Sequence, residues 1–258
     1  MTEYIIIAIV SFIGSGLTLF SGFGLGTILV PVFALFFPID IAIVLTAIVH
    51  FLNNIFKLLL LGKSANLKVI LYFGIPSVIA AVAGAYVLSM ISDIEPIGEY
   101  TLLNKTFIIS PVKLIIAILI FFFSLVEFIP KFKKQEIDIK YLPVGGFLSG
   151  FFGGLSGNQG ALRTMFLVKT NLSKESFIAT GIVLACLIDV SRLTVYSGQI
   201  MLHIKTGHYP LLILATLSAF LGAFLGNKLL KKITINFVQN IVAVMLILFS
   251  CLLGLGII

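Results

Sequence analysis

The sequence predicts an all-α polytopic membrane protein. It is organised as two inverted repeats of five segments each, with broken or short helices at the start of each repeat. Three observations carry this prediction. The chain is 60% hydrophobic and 10% charged, against about 25% charged in a soluble domain. Its apolar runs recur near the roughly 20 residues needed to cross a bilayer. Its connecting segments alternate between basic and acidic character, as loops on opposite sides of a membrane do.

The apolar segments run 4–20, 24–37, 41–61, 68–91, 109–129, 142–154, 159–170, 176–197, 208–228 and 234–258. The N-terminus, Met1-Thr2-Glu3-Tyr4, has no basic region, so the first segment reads as a retained helix and not a cleaved signal. Segments 24–37, 142–154 and 159–170 are too short to span about 30 Å at 1.5 Å per residue. Those pieces flank two glycine-rich stretches. One is Ser21-Gly22-Phe23-Gly24-Leu25-Gly26-Thr27-Ile28. The other is Gly153-Gly154-Leu155-Ser156-Gly157-Asn158-Gln159-Gly160-Ala161-Leu162-Arg163. Glycine loosens a helix, and Ser, Asn and Gln offer its backbone alternative hydrogen bonds. Both stretches are therefore expected to break a helix inside the membrane. Period-two strands of the outer-membrane type are not visible, which argues against a β-barrel.

Loop charges orient the segments. Lys63 and Lys68 place the 62–68 connection inside, with Lys57 just before it. Asp93, Glu95 and Glu99 against Lys105 place 92–108 outside. Lys131, Lys133, Lys134 and Lys140 return 130–141 to the inside, and Lys228, Lys231 and Lys232 do the same for 228–233. Both chain ends then lie outside. The first broken pair enters and leaves from the outside, the second from the inside. The expected division is a first membrane repeat over 1–129, a cytoplasmic connection over 130–141 and a second, inverted repeat over 142–258. The formal net charge of +7 belongs to these inner loops and not to a nucleic-acid surface. A multi-pass protein of the cell (plasma or inner) membrane is expected.

A weak repeat matches this inversion. At an offset of 135, Ser21-Gly22 pairs with Ser156-Gly157, Asp40 with Glu175, Asn54 with Asp189 and Lys57 with Arg192. Three residues further in offset, Gly84-Ala85-Tyr86 pairs with Gly222-Ala223-Phe224. Inverted repeats with glycine-interrupted segments at matching positions mark the substrate site of many secondary transporters.

The chain resembles the sulfite exporter TauE/SafE family of membrane permeases. The likeness rests on Ser21-Gly22-Phe23-Gly24-Leu25-Gly26-Thr27-Ile28-Leu29-Val30-Pro31. It rests equally on Gly145-Gly146-Phe147-Leu148-Ser149-Gly150-Phe151-Phe152-Gly153-Gly154-Leu155-Ser156-Gly157, and it covers most of the chain. The resemblance implies a permease or exporter for small sulfur-containing anions, such as sulfite or organosulfonates, or for small carboxylates. Family members often carry further glycines where this chain reads Asn158-Gln159-Gly160-Ala161. That departure bears on which anion is selected.

The candidate site follows from the breaks. A broken helix exposes free N–H groups at the start of its second half, where the dipole favours negative charge. Ser21, Gly22, Gly24 and Gly26 are substrate-binding candidates in the first copy. Ser156, Gly157, Asn158, Gln159 and Gly160 are candidates in the second. For each glycine alone the competing reading is close helix packing. Arg163 and Arg192 are candidate anion ligands, with snorkelling to the nearer surface as the alternative for each. Asn54 joins them. His50 and Asp189 are candidates for proton coupling, since ionisable groups inside a span are costly and histidine titrates near neutrality. His50 could equally be an interhelical hydrogen bonder. Lys57 could reach cytoplasmic water, and His203 and His208 read as solvated loop residues.

The function expected is a transporter working by alternating access at a midplane site, with an anion channel as the alternative. The partners are a small anionic substrate and the bilayer, and a second copy of the chain is a candidate partner. Gly154-Leu155-Ser156-Gly157 also matches the Gly-x-Ser-Gly pattern of rhomboid-like serine proteases. Such an enzyme needs a histidine on a neighbouring span, and the histidines downstream of Ser156 fall in a connection. No enzyme activity is expected. There is no Walker motif, no metal-ligand spacing and no disulfide pattern in Cys186 and Cys251, so no cofactor is expected.

Overall fold

The computed structural model describes residues 1–21, 24–128, 139–198, 200–201, 208–229 and 235–258. Among them the chain runs through ten longer helices. These are α1 (Thr2–Ser21), α2 (Leu25–Ala34), α3 (Ile39–Leu61), α4 (Leu67–Ser92) and α5 (Pro111–Phe128) in the first half. The second half holds α6 (Leu142–Ser156), α7 (Gly160–Leu167), α8 (Lys174–Val195), α9 (Tyr209–Leu229) and α10 (Ile235–Gly254). Stretches in α1, α3, α4, α8 and α9 are long and apolar enough to cross a membrane. The ten expected segments and the ten helices correspond one to one.

Differences from expectation are local. The segment expected over 24–37 contracts to the ten residues of α2, and that over 159–170 to the eight of α7. At 1.5 Å per residue these reach only about 15 Å and about 12 Å. The expected 92–108 loop contains a hairpin of β1 (Gly98–Leu102) and β2 (Lys105–Ile109) in antiparallel register. Leu103 and Asn104 join the strands with φ of 51° and 61°, the backbone a two-residue hairpin turn demands. Tyr100 and Phe107 pair across the strands, and the Tyr100 hydroxyl donates to Leu255 O at 2.8 Å. The hairpin is thereby tied to the end of α10. The 130–141 connection lies mostly outside the described residues, as do Lys231 and Lys232.

Local chemistry explains the helix ends and irregularities. The Asn66 side chain accepts from Val69 N at the start of α4, and that of Ser173 from Ser176 N at the start of α8. Within α4 the turn over Ile70–Gly74 widens to a π-helix immediately before Pro76. Proline removes one donor and crowds the carbonyl four residues back, so the turn opens around it.

The packing is symmetric under exchange of the two halves. α1 lies along α9, and α6 lies along α4. α3 meets α8, and α5 meets α10. α3 also touches α9, as α8 touches α4. α4 and α6 approach closely along their length. Side chains added at Gly146, Gly150 and Gly154 would overlap the carbonyls of Phe73, Ser77 and Ala81, one turn apart on both helices. On the other side Gly222 of α9 sits against the Phe12 carbonyl of α1, as Gly84 of α4 sits against that of Phe151 in α6. The matched pair Gly84 and Gly222 therefore does the same work in each half. Small residues letting backbones touch is the usual means of helix association in a bilayer. Gly150→Val is expected to force α4 and α6 apart and cost about 1–3 kcal/mol or more. A thermal melt of the purified variant measures this, and an unchanged midpoint would contradict the packing.

A buried charge cluster and a basic cleft

The second break is shaped by its sequence. α6 ends at Ser156, and Gly157 adopts φ of 78°, a left-handed turn that glycine enters without strain. Gly157 N donates to Gly153 O at 3.1 Å, and Gln159 N to Gly157 O at 3.1 Å. α7 then starts afresh at Gly160. Neither α2 nor α7 has a side-chain cap: the preceding residues, Gly24 and Gln159, make no capping bond. Among the described residues the first N–H groups of α7, and those of α2 before Thr27, whose N–H donates to Gly24 O at 3.1 Å, have no intrahelical or side-chain cap. The two breaks also meet. A Cβ on Gly26 would lie 3.5 Å from the Gly157 carbonyl, and one on Gly157 would lie 3.3 Å from both Val30 of α2 and Arg192 Nη1.

Between the breaks sits Asp189, fully buried on α8. Its Oδ2 lies 2.6 Å from His50 Nδ1 and accepts from Asn54 Nδ2 at 3.2 Å, both on α3. Its Oδ1 accepts from Gln159 Nε2 at 3.0 Å, and from Arg192 Nε and Nη2 at 3.1 and 2.8 Å. Five donors from three segments converge on one carboxylate. Such satisfaction is what permits a charge in a low-dielectric interior. His50 Nε2 faces Gly24, where a Cβ would approach to 2.7 Å. Tyr196, one turn beyond Arg192, donates its hydroxyl to Gly154 O, and Arg192 Nη1 donates to Gly153 O at 3.4 Å.

Gln159 has a fixed orientation here. Its NH2 must face the Asp189 carboxylate, so its Oε1 must accept. It accepts from Arg163 Nη1 at 3.4 Å. Arg163 therefore connects through one amide to Asp189, and it also lines a cleft.

That cleft encloses about 480 Å³ including its open mouth. Lys57, Asn54, Arg163, Thr164 and Thr18 line its polar part, with Gly24 at the first break. Arg163 and Lys57 are 6% and 3% exposed, so neither extends into water as the snorkelling alternative required. Lys57 Nζ donates at 3.2 Å to Asn53 Oδ1, whose amide nitrogen turns toward Ala219 O at 3.3 Å.

The sequence candidates thus separate. Asn54, Gln159, Asp189, Arg192 and His50 form one cluster, with Gly24, Gly26 and Gly157 packed against it. Arg163 borders both cluster and cleft. Arg192 is not an exposed snorkelling group: its guanidinium is engaged by Asp189 and a carbonyl. Ser156 Oγ donates to Phe152 O at 2.9 Å and is approached by Asn158 N at 3.4 Å, so it serves its own helix end. Asn158 is buried beside it. Gly160 is the buried first residue of α7. Gly22 lies outside the described residues, and Ser21 is placed only as the end of α1. His208 is half-buried with its ring 5.2 Å from that of Phe37, which corrects the expectation of a solvated side chain. His203 lies outside the described residues. Thr18, Thr164 and Tyr196 border the cleft or the cluster and were not among the sequence candidates. Only Tyr196 left a signal, since it continues the face of α8 that carries Asp189 and Arg192.

Two short helices meeting beside a buried charge cluster in an apolar multi-helix bundle suit a membrane transport protein. The family model described as Sulfite exporter TauE/SafE matches residues 6–253, and the chain belongs to that family. It is a multi-pass membrane transporter for a small molecule and not an enzyme. No curated protein matches the chain.

Proposed function

We propose that the protein carries small sulfur-containing anions, such as sulfite or organosulfonates, across the cell membrane by alternating access at a midplane site. The observation that carries this reading is Arg163. It is a buried guanidinium at the wall of an open cleft, one turn into an uncapped half-helix, with no carboxylate partner among the described residues. A fork of N–H donors beside a helix N-terminus suits an oxyanion. Gly24, Gly26 and Gly160 supply backbone approach, Asn54 and Gln159 supply amides, and Ser21 and Gly22 stand beside them in the sequence. His50 and Asp189 are the groups assigned to proton coupling.

The orientation from loop charges puts Lys57, Phe177 and Leu167 in the inner half of the membrane. All three border the cleft, so its mouth faces the cytoplasm. Arg192 and Tyr196 close the outer side. The repeats 1–129 and 142–258 interleave, α1 with α9 and α4 with α6, with 130–141 joining them inside.

Purified protein in liposomes is expected to show saturable flux of at least one member of a panel of sulfite, thiosulfate, sulfonates and short carboxylates. Absence of flux for the whole panel overturns the reading. Flux that rises linearly without saturation would point to a channel instead.

A further inference from the structure

The two halves place different charges at matched positions. In α8 Asp189 and Arg192 stand three residues apart and pair at 2.8 Å. The matched positions in α3 are Asn54 and Lys57, again three apart. There the acid is replaced by a neutral amide, so among the described residues Lys57 has no counter-ion. Its ammonium is 3% exposed and donates to the neutral Asn53. Arg163 faces the same cleft with a single 3.4 Å bond to another neutral amide.

Among the described residues of this centre the carboxylate is Asp189, and it is held by Arg192 and His50. With Lys57 protonated, His50 neutral and its Nδ1–H donating to Asp189, three buried cations face one buried anion. The centre then carries an excess of two positive charges. Such an excess is costly away from water unless an anion joins it.

We infer that Lys57 and Arg163 are a two-cation anchor, and that the site selects anions carrying two negative charges over singly charged anions of similar size. The substrate supplies to Lys57 the negative charge that Asp189 supplies to Arg192. This rests on the cleft being the transport site. The two anchors differ in kind: lysine is a compact point charge, while arginine presents a planar fork. A dianion satisfies both and leaves the centre neutral. A monoanion leaves one cation uncompensated.

The test is inhibition of radiolabelled sulfite flux in proteoliposomes by methanedisulfonate and by methanesulfonate at one pH. In the wild-type protein the dianion is expected to inhibit at a concentration about tenfold or more lower, the scale of one additional charge-assisted contact. Lys57→Gln is expected to bring the two competitors within about twofold of each other, mainly by weakening the dianion. Lys57→Arg, which keeps the charge and tests for a purely structural role, is expected to retain the dianion preference. Equal inhibition by the two competitors in the wild-type protein overturns the inference, as does a ratio unchanged in Lys57→Gln. If no anion in the flux panel moves, the transport reading itself fails. If sulfite moves without dianion preference, only this inference fails.

Discussion

Asp189→Asn is expected to abolish transport and to lower stability by about 3–5 kcal/mol, the range for removing one partner from a buried ion pair. Asp189 accepts from Arg192, Gln159, Asn54 and His50 at once. An asparagine there turns an NH2 toward at least one of these donors and leaves Arg192 buried without a counter-charge. Thermal melting with a flux assay measures both losses. Arg192→Gln added to Asp189→Asn removes the orphaned cation, so the double variant is expected to recover part of the stability but none of the transport. A cycle of single and double variants isolates that coupling. A single variant melting at the wild-type temperature would show that the carboxylate is not the hub of the cluster.

Arg163→Gln is expected to raise the half-saturating anion concentration about 10–100-fold, corresponding to the roughly 1.5–3 kcal/mol of a hydrogen bond to a charged group. Stability should change little. Arg163 already lacks a carboxylate, and its loss reduces an unbalanced positive charge. The contrast with Asp189→Asn is diagnostic: one variant removes a ligand of the substrate, the other a support of the scaffold. Arg163→Lys is expected to be intermediate, since lysine keeps the charge and loses the fork. Unchanged saturation in Arg163→Gln would remove the guanidinium from the binding site.

The ten helices and both breaks were legible because membrane sequence is strongly patterned. Gly153–Gly160 is a cluster of glycine and amides inside an apolar region, and little except a broken helix accommodates it. The pairing of Asp189 with Arg192 was legible from their spacing on one helix face. Other features depended on partners far along the chain. Nothing in local sequence says that Arg192 turns inward, because an outward snorkel satisfies the same helix. The contact of His50 with Asp189 spans the two halves. Gln159, not its neighbour Asn158, faces the carboxylate because Gly157 turns left-handed and rotates the chain. The hairpin escaped because Leu103 and Asn104 take positive φ without a glycine to announce the turn. Lys57 was recognised as the partner position of Arg192, yet its burial came only with α9 packing Ala219 against Asn53.

The central claim is that the cleft between Lys57 and Arg163 seats the substrate. Calorimetric titration of sulfite into purified wild-type protein and into the double variant Lys57→Gln/Arg163→Gln tests it most directly, because binding is read without any transport step. One saturable site per chain in the wild-type protein, lost in a double variant that still melts cooperatively, is the predicted result. A folded double variant that binds sulfite with wild-type affinity would place the substrate elsewhere and contradict the account.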